Sequence, residues 1–351
     1  MAVLEDNLVE LDGSYGEGGG QILRTALSLS AILRNPFTIS HLRSKRKNPG
    51  LQAQHLEAVK AMAQMTNAQT EGVEFGSQRV SFFPQKILPG NYQFEVKTAG
   101  STLLLFQAMF LPLLMAKSLS HITLIGGTHV PWSPPFHYFS EVLLPHLELM
   151  GISIEPDIKK WGFYPRGGGK IQFRIHPIDA LKPIHLTERG ACKRIRGLSV
   201  ISHLPKHVAE RQRDQAMKRI RKELKMESEI HLLYDVPSNG PGSFLFLLAE
   251  YEKTVAGFSS LGQKGKPAEK VSDETVDALK EYMEGEGCID PHLADQLVLF
   301  MAFAKGNSSL TTTRMTQHLL TNLWVINHFM PVRIEQQGEL EKPGRIKFIN
   351  E

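Results

Sequence analysis

The chain has 351 residues, 42% of them hydrophobic and 22% charged, with a formal net charge of +4. At roughly 150 residues per domain there is room for about two domains, each able to bury a core without cross-links. Cys192 and Cys288 are the only cysteines, which excludes a disulfide framework and a multi-cysteine zinc site and suits a reduced, cytoplasmic setting. The slight basic excess is compatible with a nucleic-acid or phosphate-bearing partner without singling one out.

Met1-Ala-Val-Leu runs directly into Glu5 and Asp6, so no targeting signal is expected at this end. Val9 to Gly13 reads as a strand, followed by a glycine-rich turn. Ile22, Leu23, Ala26, Leu27 and Leu29 then recur at helical spacing and predict a helix over Gln21 to Leu33. Phe37 to Ser40 alternates as a strand does. Asn48-Pro49 offers an N-cap and a first-turn proline for a second helix from Leu51 to about Met65. Arg79 to Phe83 closes this unit as a strand.

The same signals return about 80 residues later, as expected of a repeated supersecondary unit. Thr98-Ala99-Gly100-Ser101 opens a helix, His121 to Ile125 is a strand, Pro134-Pro135 opens a second helix to Met150, and Lys170 to Arg174 closes the copy. Ala99 to Ala116 carries no charge, but Ser101, Thr102, Gln107 and Pro112 interrupt it. It reads as a buried core helix, not a span of roughly 20 apolar residues, so no membrane association is expected. A third copy runs from Asp290-Pro291 through a helix at His292 to Ala304, a helix at Met315 to Phe329, and a strand at Arg345 to Ile349.

The expected fold is α/β of the α+β kind: three strand-helix-strand-helix-strand-strand repeats forming a large domain, with a smaller inserted α/β domain. Residues 1–183 would hold repeats one and two, 184–287 the insertion, and 288–351 repeat three. Within the insertion, Lys206 to Met226 reads as a basic amphipathic helix. Val208, Ala216, Ile220 and Leu224 line one side, and Arg213, Arg219, Lys222 and Lys225 are available for the other. An acidic helix follows around Asp273 to Glu284. The basic charges would contact RNA or, as such runs more often do, form a solvated face.

The strongest local signal for chemistry is Asp12 to Gln21, a loop with five glycines running into a helix. Such a loop lets backbone N–H groups close on a phosphate, helped by the helix dipole, and it serves equally well as a tight turn. It matches neither the P-loop nor the dinucleotide fingerprint. Glu17 within it would bridge a hard cation to phosphate oxygens, or stand solvated. Arg24, one turn into the helix, aims back at the same place. Arg43-Ser44-Lys45-Arg46-Lys47 puts four cations in five residues before the second helix. Either alone is explained by solubility; two cationic segments beside helix N-termini favour polyphosphate binding. Fourteen histidines occur, and spacing does not rank them. His318 stands early in a repeat's second helix, where it would face a cleft between repeats. The residues alone carry the reading to phosphate handling, with ATP a candidate, and no further.

Several stretches fall in a familiar order: Leu11 through Arg24; Arg43-x-x-Arg46 with Pro49-Gly50-Leu51 and Gln54-His55; Gly162 to Gly169; Leu204-Pro205-x-His207-Val208-Ala209-Glu210; His292 to Leu297; and His318 to Asn322. Together they resemble the RNA 3′-terminal phosphate cyclase family across essentially the whole chain. That resemblance implies a large domain of three repeats, similar to the C-terminal domain of a bacterial translation initiation factor, with a small α/β domain inserted before the third.

It also implies ATP-dependent conversion of an RNA 3′-phosphate end to a 2′,3′-cyclic phosphate. His318 would become a histidinyl-AMP, AMP would pass to the RNA phosphate, and the neighbouring 2′-OH would expel it. Arg24, Arg43 and Arg46 would neutralise the phosphates, with Mg²⁺ or another divalent cation such as Mn²⁺ near Glu17. ATP would lie against Gln107 and the run His292, Leu293, Ala294, Asp295 and Gln296, with Gln54 orienting phosphates. Pro134, Tyr138 and Phe258 would flank the adenine. His292 replaces a tyrosine usual in the family, and His129 follows Gly126-Gly127-Thr128 where an acid or amide is usual. The partners implied are ATP and RNA with a 3′-phosphate end; a homodimer is compatible with this reading. The rivals are a non-catalytic RNA-binding paralogue of the kind used in ribosome assembly, and a small-molecule transferase of similar repeat architecture.

Overall fold

The computed structural model describes residues 7–350. The stretch read for a targeting signal lies outside the described residues. The first unit runs β1 (Val9–Asp12), α1 (Gln21–Leu33), β2 (Phe37–Ser40), α2 (Ala53–Thr66), β3 (Gln69–Glu71) and β4 (Val80–Phe83). The second runs β5 (Asn91–Glu95), α3 (Thr102–Leu114), β6 (Ser120–Gly126), α4 (Phe136–Tyr138) continuing through a π turn at Phe139–Leu143 into α5 (Leu144–Leu149), then β7 (Ile154–Lys160) and β8 (Gly169–Ile175).

Next come β9 (His185–Leu186), β10 (Cys192–Ser202), α6 (His207–Arg219), β11 (Ser228–Leu233), β12 (Gly242–Tyr251), β13 (Val255–Leu261) and α7 (Ala268–Glu284). The chain ends with α8 (Pro291–Met301), β14 (Ser308–Thr312), α9 (Gln317–Phe329), β15 (Arg333–Gln337) and β16 (Gly344–Ile349). No helix among the described residues is long and apolar enough to cross a membrane.

Three sheets share one order. They are β1-β2-β4-β3, β5-β6-β8-β7 and β9-β14-β16-β15, each pairing its first two strands in parallel and the others antiparallel. A fourth sheet, β11-β10-β12-β13, belongs to the segment between β9 and α8. The first strand of the third unit is therefore β9, which pairs with Ser309 and Leu310 across the intervening segment. The break in sequence period at Ile184 comes before this strand, whereas the fourth sheet begins only at Cys192.

Among the described residues, side-chain caps explain four of the nine helix starts. Ser101 Oγ accepts from the Leu104 N–H, Thr316 Oγ1 from the Leu319 N–H, and Asp290 Oδ1 from the N–H groups of His292 and Leu293. The expected cap at Asn48-Pro49 is corrected. Helix α2 starts at Ala53, where Gln52 and His55 form a reciprocal capping box. Its N–H-satisfying geometry leaves residues 41–50 as a loop. One core joins the three units. Phe106 stacks on Phe173 at 3.7 Å, Phe110 meets Phe300 at 5.0 Å, and Phe37 meets Phe329 at 6.1 Å.

The intervening segment has its own core around Ile220, Leu247 and Val276. Its basic helix buries Ala209, Gln212, Ala216 and Ile220, with Val208 and Leu224 only half buried, so the expected apolar stripe is shifted. Lys222 and Lys225 are exposed, as a solvated face would have them, whereas Arg213 pairs with the neighbouring Asp214. Arg219 is tied to Glu223, Asp273 and Asp277, and Gln215 to Asp273. Part of the basic face is thus paired with acids of the turn that follows α6 and of α7.

Candidate active site

The glycine loop leaves β1 at Asp12, whose carboxylate accepts the Ser14 N–H at 2.9 Å. Gly16 takes φ +57° and is wedged against α9; a Cβ there would lie 2.6 Å from Thr321 Oγ1. Tyr15 stacks on Trp324 at 4.2 Å and pins the loop to the same helix. On the other side, Arg46 reaches Gly19 and His55 reaches Gly20. No side chain caps α1, so its first N–H groups, which lack helical acceptors, are left without a side-chain partner.

His318, in the first turn of α9, keeps 43% of its side chain exposed, and its Nε2 lies 3.4 Å from Glu17. The same Glu17 oxygen accepts from Arg46 Nη2 at 2.9 Å. Partial burial holds the His318 imidazole below its ordinary pKa; the Glu17 charge opposes this, while Arg24, His292 and Arg46 add to it. A neutral ring with a nitrogen lone pair is the form that can act as a nucleophile.

Arg24 is 8% exposed. Its Nη2 donates to Gln21 Oε1 at 2.5 Å, and its Nε has no protein partner. Burial pulls its pKa down to about 10, with Asp295 pulling the other way, so it stays cationic at neutral pH. Burial likewise pushes the Asp295 carboxyl well up, helped by Asp290 and opposed by Arg24. Asn322 ties the walls together: its Nδ2 donates to the Asp295 carbonyl at 2.7 Å, and its Oδ1 accepts from Thr25 and Gln21. Gln107 donates to Gln296 at 2.9 Å. A hollow lined by Gln21, Arg24, Gln107, Asp295, Gln296 and Asn322 results.

The other candidates are placed as follows. Arg43 is half buried and donates to the carbonyls of Gly50 and Asn48, shaping the loop that carries Arg46. Gln54 Oε1 accepts the Ser101 N–H at 3.0 Å. His292 is exposed at the start of α8 and lies edge-on to Tyr138 at 6.4 Å. Leu293 and Ala294 are fully buried and belong to the core face of α8. Tyr138 is buried and donates to Asp290 at 2.7 Å, and Pro134 is half buried in the preceding loop. Phe258 lies in the core of the fourth-sheet segment, 5.4 Å from Tyr282. His129 is a core residue, fully buried, hydrogen-bonded to Thr128 and His137 and stacked on Trp161 at 4.1 Å.

Sequence reasoning assigned no role to three groups that the structure brings in. Asp290 was seen only as a helix start, yet its buried carboxylate also takes the Tyr138 hydroxyl, leaving Oδ2 unpartnered. Asn322 links three helices. His55 accepts the Gln52 N–H at Nδ1, 3.1 Å away, which leaves its Nε2 protonated and turned to Gly20. Burial, with Arg43 and Arg24, drops its pKa to about 3. Its position three residues after Gln52 was the available signal.

Among the described residues, no cluster of three or more His, Cys, Asp or Glu could enclose a metal ion. Glu17 is a single carboxylate amid Arg46 and the loop N–H groups. That donor set fits a hard cation only if phosphate oxygens complete its shell, the usual arrangement for Mg²⁺.

Gly20→Ala is expected to displace His55, since a Cβ would sit 2.4 Å from its Nε2 and 3.1 Å from Arg24 Nη1. The melting temperature should fall by a few degrees, about 1–3 kcal/mol of overpacking. A melt unchanged from wild type would show that the loop yields freely.

An α+β chain of three like units, with an imidazole, a carboxylate and guanidinium groups gathered at an uncapped helix N-terminus, has the makings of a phosphate-handling site. The family model described as RNA 3′-terminal phosphate cyclase matches residues 15–336. The chain belongs to that family. It is 41% identical over 341 residues to the "RNA 3′-terminal phosphate cyclase" of Ignicoccus hospitalis, covering 96% of this chain and 97% of that one. It is 41% identical over 346 residues to the protein of the same name from Methanopyrus kandleri, covering 97% and 98%. Among solved structures, the enolpyruvyl transferase NikO from Streptomyces tendae aligns with a TM-score of 0.39 at 9% identity, over 97% of this chain and 47% of that one.

Proposed function

We propose that this protein converts RNA 3′-phosphate ends to 2′,3′-cyclic phosphates at the expense of ATP, through an adenylate on His318. The observation that carries the reading is the half-exposed His318 ring, which shares the Glu17 carboxylate oxygen with Arg46.

In the first step an imidazole nitrogen attacks the α-phosphorus of ATP. A P–N bond forms, the P–O bond to the β-phosphate breaks, and pyrophosphate leaves. The ring is held neutral by its partial burial and the cations around it. Arg24 and Arg46, with the α1 N–H groups, balance charge that builds on the phosphate oxygens. In the second step an oxygen of the RNA 3′-phosphate takes the adenylyl group and frees the histidine. In the third the vicinal 2′-OH attacks the activated phosphorus, closes the ring and expels AMP. That hydroxyl is already in position, so the last step asks little beyond alignment. Glu17 is the residue that would hold a divalent cation such as Mg²⁺, which when bound supplies charge neutralisation at the phosphates. Half-buried Gln107, Gln296 and Asp295 line the hollow in which the nucleotide would be held.

Incubating the protein with α-labelled ATP and Mg²⁺ should leave acid-labile label on the chain, and a 3′-phosphate RNA should become phosphatase-resistant. Absence of both would favour a non-catalytic RNA-binding role. Arg46→Ala should slow labelling about 10²-fold, the cost of losing one donor at a charge-developing site. A wild-type rate for this variant would reduce the basic loop to a solvated surface.

A further inference from the structure

A tryptophan fully in water is uncommon, since its large ring gains so much from burial. Trp132 is 96% exposed. Its backbone sits at φ +58°, a conformation that costs an L residue stability and persists only where neighbours impose it. They do so here: Ser133 Oγ donates to the Val130 carbonyl, and the Phe136 N–H donates to the Thr128 carbonyl.

A second exposed ring stands on the adjoining loop. Tyr164 is 66% exposed, and its loop is joined to the first because the N–H groups of Thr128 and His129 both donate to the Gly162 carbonyl, at 3.0 and 3.1 Å. Exposed Arg166 is held by the Asn239 carbonyl at 2.8 Å. Residues 127–135 and 162–170 contain no acidic side chain, and Lys170 and exposed Lys97 lie on the adjoining strands or loops. The pair of loops is also tied to the reaction centre. Gly167 packs on Ala99, Gln54 holds Ser101, and His55, next to Gln54, lies against Gly20.

We propose that Trp132 and Tyr164, with Arg166, form a stacking platform for the single-stranded RNA that leads into the reacting 3′ end; this rests on the cyclase reading above. Two aromatic rings and a cation, on loops that carry no carboxylate of their own, suit bases and phosphodiesters of any sequence. Because the loops are already ordered, little freedom is lost when a base stacks on them.

The test compares a 3′-phosphate oligouridylate of about 12 nucleotides with a 3′-phosphate trinucleotide, for wild type, Trp132→Ala, Tyr164→Ala and Trp132→Phe. For the longer RNA each alanine variant should raise KM, and weaken binding by fluorescence anisotropy, about ten-fold, the scale of one lost base–aromatic stack. Trp132→Phe should restore most of it. The trinucleotide KM and the labelling by ATP should stay at wild-type values. Unchanged affinity for the longer RNA would overturn the proposal. So would equal losses on both lengths, or a shift in sedimentation that marks the rings as a contact between copies or with another protein. If wild type neither labels nor cyclises, the cyclase reading falls, and the anisotropy comparison still decides whether these rings hold RNA.

Discussion

Replacing His318 by alanine is expected to abolish covalent labelling by ATP and to lower cyclisation by at least about 10³-fold, because a covalent route has no second path once its nucleophile is gone. The fold should survive. The ring is 43% exposed, and its 3.4 Å approach to Glu17 is a long contact, so truncation should change stability by no more than about 0.5 kcal/mol. Full labelling of a correctly folded His318→Ala protein would sink the assignment. The same ring sets a pH expectation. Its pKa lies below the ordinary histidine value because burial outweighs the Glu17 charge. The labelling rate of wild type should therefore rise with pH through a midpoint below the ordinary value of about 6.5 and then level off. In Glu17→Gln the opposing charge is gone, so the His318 titration followed by NMR should move further down. A shift upward would contradict the assigned electrostatics.

Arg24 carries the second large effect. Arg24→Lys is expected to lower labelling about 10²- to 10³-fold, the range seen when a preorganised donor is removed. An ammonium keeps the charge but not the planar fork. Arg24 Nη2 is already engaged by Gln21 and Nε is without a partner, so the fork has donors left to offer a phosphate. Arg24→Ala should in addition destabilise the fold by about 1–3 kcal/mol, because it empties a buried position and leaves Gln21 Oε1 without its donor. Urea unfolding measures that loss. Wild-type labelling by the lysine variant would show that Arg24 supports the fold without touching the phosphates.

Some elements were legible because their signals are local. The helix expected over Gln21 to Leu33 has those ends, since its apolar face repeats every three or four residues. Asp290-Pro291 starts a helix because an oxygen-bearing side chain beside an apolar run can satisfy free N–H groups; the helix expected from Met315 begins at Gln317, behind the Thr316 cap. Other strands were missed. β3 has three polar residues and β9 only two, too few for an alternating pattern to emerge. Asn48-Pro49 looked like a cap, but the loop there is shaped by Arg43 donating to the carbonyls of Gly50 and Asn48. Competition of that kind is invisible to local spacing.

The candidate site divides in the same way. Short-range pattern grouped the glycine loop, Glu17, Arg24 and the Arg43–Lys47 cations as candidates for phosphate handling, and the quoted motifs pointed to the family the chain belongs to. It could not select His318 among fourteen histidines. Nor could it foresee that Asn322 bonds to Gln21 and Thr25, some 300 residues away along the chain. It likewise had no means of telling that His129 is a core residue while Trp132 stands in water. Helix period, capping and turn chemistry act over a few residues, so sequence alone determined the units and their likeness to one another. Which side chains share a hollow, and which of them keep or lose their charge there, follows from how α1, α8 and α9 pack. Burial and Coulomb effects depend on distance in space, and only the tertiary structure decides that.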